Sequence, residues 1–201
     1  MKLSKKGEYA LRSLINLGIA SEVGRPLMRV SELADQEQIP SNFLEQIMQD
    51  LKQAGFVRSE RGKFGGYRLA KPLHSIPIGA IVRQIDGPLA PIGCVSQSAY
   101  EKCSCPDEVH CGLRMLMLDV RNAIAGILDR YTLADVVGVT LRKLRRDGLP
   151  LPFSAAPEAT ESVHRPVQRV NRLRMTYNPA TKARFDATEG VLHQLLSDYT
   201  I

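Results

Sequence analysis

Residues 56–69 run FVRSERGKFGGYRL, two short strand-like pieces around a tip of glycines and cations. That pattern reads as a β-hairpin. What precedes it restricts the fold further. Residues 3–20 carry Leu11, Leu14, Ile15 and Leu17 to Ile19 at helical spacing, and Gly24-Arg25-Pro26 ends the segment. Residues 30–38 predict a second, short helix starting near Ser31. Ile39-Pro40-Ser41-Asn42 predicts a tight turn, with Pro40 or Ser41 opening a third helix and Asn42 in its first turn. Phe43, Leu44, Ile47, Met48 and Leu51 then form one apolar face over 43–54, and Gly55 reads as the cap that ends it. Helix, helix, turn, helix, hairpin is the element order of a winged helix-turn-helix.

Beyond the hairpin, residues 76–86 predict another helix with Pro77 in its first turn. A Gly87-Pro88-Leu89-Ala90-Pro91 break and a cysteine loop follow. Residues 112–131 carry the longest helical pattern, with Leu113, Leu116, Met117, Val120, Ile124, Ile127 and Leu128 at steps of three and four. A chain this short has little other core to cover such a stripe, so it predicts a dimer helix. Thr132 caps a last helix, Leu133–Arg146, and Leu149-Pro150-Leu151-Pro152 reads as a linker. The expected class is mostly α with a small β-hairpin wing: a winged helix-turn-helix plus a long dimerisation helix. The expected division is 1–86 for DNA binding, 87–111 for the cysteine loop, 112–148 for dimerisation, and 149–201 for a linker and a partly disordered tail with a weak helix at 188–197.

The 201 residues carry a net charge of +6, nearly all of it ahead of Phe153. An excess of cations favours an anionic partner. The third helix presents Ser41, Asn42, Glu45, Gln46 and Gln49 on its polar side, the short groups a recognition helix needs. Glu45 can accept from a cytosine amine, and Gln46 or Gln49 can pair with adenine. Arg58, Arg61, Lys63 and Arg68 surround a hairpin tip expected to be flexible at Gly62, Gly65 and Gly66. There cations can follow phosphates or enter a minor groove. These residues predict double-stranded DNA as the partner. With five Phe, six Tyr and no Trp, a stacking platform for single strands is poorly supported.

All four cysteines fall together: Cys94, Cys103, Cys105 and Cys111. No apolar run is long enough for a membrane span, and residues 1–20 read as an amphipathic helix rather than a secretory signal. The expected location is the cytoplasm, where clustered cysteines are metal ligands or redox thiols more often than disulfides. The C-x8-C-x-C-x5-C spacing fits poorly the paired knuckles of a structural zinc site. An iron–sulfur cluster, a reversible thiol switch and zinc all stay open from the residues alone.

SKKGEYALRSLINLG at 4–18, FLEQIMQDLKQAGFVRSERGKFGGYRLAKP at 43–72, and the cysteine loop followed by CGLRMLMLDVRNAI together resemble the Rrf-two family. These are bacterial winged-helix regulators of the IscR, NsrR and RirA kind, and the resemblance covers residues 1–147. It implies a homodimer on partly palindromic operators, with Asn42, Glu45 and Arg61 as DNA contacts. It also implies a three-cysteine cluster site whose last two members are separated by five residues. Cys94, Cys105 and Cys111 match, and Cys103 is extra. Glu8, in a helix that supplies a ligand across the dimer in some relatives, is a candidate fourth ligand beside Cys103 and His110. Arg114 stands where some relatives carry a histidine. The function implied is a transcription regulator sensing iron, redox state or nitric oxide. The other classes are a thiol-switch regulator without a cluster and an iron–sulfur electron carrier. With no phosphate-cradling glycine loop and with His74, His110, His164 and His193 scattered singly, the chain does not read as an enzyme.

Overall fold

The Ser4 hydroxyl accepts from the Gly7 N–H at 2.9 Å and starts α1, Lys5–Glu22. The computed structural model describes residues 2–153 apart from Lys63, so the expected weak helix at 188–197 lies outside the described residues. In α1, Ala10, Leu14 and Leu17 are fully buried. Burial of such leucines is worth roughly 1.5–3 kcal/mol each, which makes α1 the central element. It packs against α3 (Ser41–Gln53), α4 (Ile78–Asp86) and α6 (Leu133–Arg146).

α2 is Val30–Glu37. It starts on Arg29 rather than Ser31, because the Glu32 carboxylate accepts from the Arg29 N–H at 3.0 Å. Glu37 then fastens α2 to α1. It takes the Arg12 Nε at 2.5 Å and the Asn16 amide, while its backbone carbonyl accepts from Arg12 Nη2 at 2.8 Å. Pro40 forms the turn into α3, whose Leu44, Ile47, Met48 and Leu51 are fully buried. Tyr9 of α1 meets Phe43 edge-on at 5.8 Å, and Lys6 pairs with Asp50 at 2.6 Å.

The hairpin pairs β1, Val57–Glu60, with β2, Gly66–Leu69, in an antiparallel register of Val57 opposite Leu69 and Glu60 opposite Gly66. The three tip glycines differ in what requires them. Gly62 has φ +112°, which does call for glycine, but Gly65 and Gly66 answer to crowding. A Cβ on Gly65 would strike the Glu60 carbonyl, and one on Gly66 would strike the Met28 carbonyl. Met28 exchanges backbone hydrogen bonds with Tyr67 at 2.8 and 2.9 Å, adding a one-residue third strand to the wing.

α4 begins at Ile78, two residues later than the periodicity predicts. The Ile76 carbonyl accepts from Leu133 N–H at 2.8 Å and the Ile78 N–H donates to Tyr131 O at 2.9 Å, so 76–77 is extended and paired with the entry to α6. α5 is Gly112–Arg130, and α6 begins as predicted. Thr132 caps α6, exchanging hydrogen bonds with Asp135. Although the sequence groups α6 with α5, it packs on α1 and on a single 3-10 turn, Leu73–Ser75. α5 packs on α4 and on a second 3-10 turn, Gly93–Val95.

Candidate nucleic-acid interface and cysteine site

With its apolar face spent on the core, α3 turns Ser41, Asn42, Glu45, Gln46 and Gln49 to the surface. The expected polar side is therefore one contiguous exposed face beginning in the first turn. Beside it stands the wing. Gln49 Nε2 donates to the Tyr67 hydroxyl at 3.1 Å, a link between recognition helix and wing that sequence patterning did not reveal. Burial, and then the nearby Glu45 carboxylate, push the Tyr67 phenol up from its ordinary value.

The wing cations divide by role. Arg68 is half-buried and pairs with Glu60 across the hairpin at 2.8 Å. Arg58 is exposed and donates to the Ala70 carbonyl at 3.0 Å. Arg61 is exposed at the edge of the tip, next to Gly62. Phe64 is 78% exposed there. Lys63 lies outside the described residues.

The cysteines come from irregular chain pinned at several points. Cys94 lies in the 3-10 turn Gly93–Val95 and is buried, and Cys111 is the residue from which α5 starts. Between them, Glu101 N–H donates to Gly93 O at 3.2 Å and Tyr100 donates to Glu108 at 2.8 Å. Arg114 of α5 pairs with Glu108 at 3.1 Å. Asp107 accepts from the Val109 and His110 N–H groups and meets the His110 ring at 2.6 Å. All four cysteines line one cavity of about 310 Å³, with Ile92, Gly93, Glu101, Lys102, Leu113 and Arg114.

Within that cavity the thiols influence one another in chain order: Cys94 with Cys103, Cys103 with Cys105, Cys105 with Cys111. Burial, and then Cys103, raise the Cys94 thiol. The Cys105 backbone N–H, followed by its thiol, holds Cys103 below the usual range. Contacts with Cys103 and then Cys111 push Cys105 up to about 11. Cys103 is thus an integral member of the row. Glu8 is not among the cavity's lining; it is held by Lys5 at 2.8 Å and Arg12 at 3.5 Å within α1.

The donor set is soft, four thiols. Among the described residues no three His, Cys, Asp or Glu side chains are already gathered as for a metal ion. The cavity, about 310 Å³, has room for a group much larger than a water. Four thiols around a space of that size fit an iron–sulfur cluster in ligand chemistry.

The family model Rrf2, described as an iron-dependent transcriptional regulator, matches residues 3–138. The chain belongs to the Rrf2 family. Among its relatives, an rrf2-like HTH-type transcriptional regulator of Rhodobacter capsulatus is 38% identical over 137 residues, covering 67% of this chain and 91% of the relative. The HTH-type transcriptional regulator IscR of Photobacterium profundum is 28% identical over 137 residues, covering 68% and 76%. The structure of CymR, the global cysteine regulator of B. subtilis, matches with a TM-score of 0.58 at 30% identity, covering 69% of this chain and 97% of that one. Rrf2 membership makes the protein a DNA-binding transcriptional regulator and not an enzyme. The mostly helical fold with its two-stranded wing agrees with that class. No helix among the described residues is long and apolar enough to cross a membrane.

Proposed function

We propose that this Rrf2 protein is a homodimeric regulator whose grip on duplex operators is set by an iron–sulfur cluster held by Cys94, Cys105 and Cys111, with Cys103 beside them. The observation that carries this reading is the meeting of all four thiols in one cavity at the start of α5. Exposed Asn42, Glu45 and Gln46 read bases, with Ser41 at the helix start, while Arg58, Arg61 and Lys63 meet phosphates or the minor groove.

Dimerisation falls to α5. Leu113, Leu116, Val120 and Ile127 are 58, 57, 36 and 48% exposed, an apolar stripe at helical spacing on a helix that packs on α4 and the Gly93–Val95 turn. Cys94 sits in the turn against which α5 packs, and Cys111 opens α5. A change at the thiols therefore acts on the helix that spaces the two recognition helices. Half-sites on DNA lie about 34 Å, one turn, apart, so a small shift in that spacing changes affinity. A cluster supplies a group whose assembly and loss follow iron or redox state; Glu8 from the partner subunit is the candidate for a further ligand.

A thiol switch is the second reading, favoured by the Cys103–Cys105 contact and by the likeness to CymR, a global cysteine regulator. Protein purified without oxygen separates the two. The cluster reading expects visible absorption and bound iron and sulfide, lost on Cys94→Ser, Cys105→Ser or Cys111→Ser. Colourless protein carrying stoichiometric zinc, or no metal, contradicts it. Bleaching by Cys103→Ser but not Cys105→Ser would move the middle ligand to Cys103.

A further inference from the structure

Arg121 carries a charge that nothing else in the described structure answers. It lies on the inward face of α5, is only 9% exposed, and its Nε has no hydrogen-bond acceptor among the described residues. A buried ion without a partner is strongly disfavoured. Lysine or histidine could relieve that by losing a proton, but arginine stays protonated in proteins. Only the Nε is fully buried without a partner, and an anion beside it would offset the charge.

The space beside it suits one. Arg121 lines a cavity of about 30 Å³ with Arg83, Ser96, Gln97 and Ser98. Arg83 is already matched, its two terminal nitrogens on the Asp129 carboxylate at 2.6 and 2.7 Å. The local balance is one uncompensated positive charge amid two hydroxyls and an amide. We propose that this cavity is a binding site for one small monovalent anion, chloride or a carboxylate of formate size. Arg121 supplies the charge, and Ser96, Gln97 and Ser98 supply neutral donors. At about 30 Å³ the cavity is small.

A carboxylate from a second subunit is a poor source. At about 100° per residue, Arg121 lies some 110° around α5 from the middle of the exposed stripe of Leu113, Leu116, Val120 and Ile127. A copy centred on that stripe covers a different face of α5. The bound anion instead joins α5 to the segment that follows the Cys94 turn, and so steadies that turn. The site stands whether or not the cysteines hold a cluster.

The test is thermal unfolding of the full chain in potassium gluconate, an anion too large for the cavity. Chloride or formate replaces gluconate at constant ionic strength. Wild type should gain about 5–10 °C when the small anion exceeds its dissociation constant about a hundredfold, with the gain rising as the logarithm of its concentration. Arg121→Met should show no such gain. Equal responses in the two proteins, or none in wild type, overturn the proposal. Should Arg121→Met fail to fold, wild-type crystals grown in bromide decide the matter. An anomalous peak beside Arg121, Ser96 and Ser98 supports the site; a cavity without one, or one filled by a carboxylate of this chain or of a second copy, overturns it.

Discussion

Glu45 and Arg61 are the side chains on which the DNA reading is easiest to test. Both are exposed and neither is needed by the core, so their replacement leaves folding intact. Arg61→Ala should weaken binding to all duplexes alike and reduce the salt slope by about 1. Glu45→Ala should relax preference at one base pair by ~1–3 kcal/mol. Titrations against a selected operator and its single-base variants at several salt concentrations read both, and unchanged binding in both variants would remove these contacts from the interface. Carboxylates make a further prediction. The Arg29 N–H and Arg25 hold Glu32 below its ordinary range, and Arg83 does the same for Asp129. Depressed values mean these ionised groups favour the folded state above the ordinary carboxylate range. That contribution is lost as pH falls through and below it. Melting temperature should therefore drop on acidification, and Asp129→Asn should flatten the drop; an unchanged profile would show the Arg83 pair to be inconsequential.

Single elements were legible where local chemistry decides them. Thr132 and Asp135 form a reciprocal cap, and α6 begins where the sequence predicts. Thr132→Ala should cost about 0.5–2 kcal/mol in a denaturant titration; no loss would mean that packing on α1 alone fixes the helix start. Elements set by distant partners were less legible. The first turn predicted for α4 is missing because 76–77 pairs with 131–133, more than fifty residues away. Glu37, at a helix end, looks in sequence like a solvated charge, yet it receives donors from Arg12 and Asn16 of α1. The cysteine loop was readable as a site, with Cys103 extra to the family's three-cysteine pattern but a candidate ligand; the order in which its thiols meet was not readable. α5 has the predicted stripe, with Ile124 half-buried at its inner edge and Leu116, Val120 and Ile127 open. Ile127→Asp, at an exposed position, should leave the subunit folded and make it monomeric in sedimentation. A normally dimeric Ile127→Asp protein would place the interface elsewhere.

Across the whole molecule, recognition helix and wing are joined to each other by Gln49 and Tyr67. Both are built on α1, which also carries α4, and α4 carries α5. The cysteine cavity sits at the start of α5, so the proposed sensing site and the reading helix share one packed route. The account stands on that coupling. Its most direct test is fluorescence anisotropy of a selected operator duplex with anaerobically purified protein, before and after removal of iron by a chelator, with Cys94→Ser protein in parallel. The prediction is that iron removal changes the wild-type dissociation constant at least about tenfold, about 1.4 kcal/mol, and leaves that of Cys94→Ser unchanged. Equal affinity of iron-loaded and iron-free wild type would contradict it.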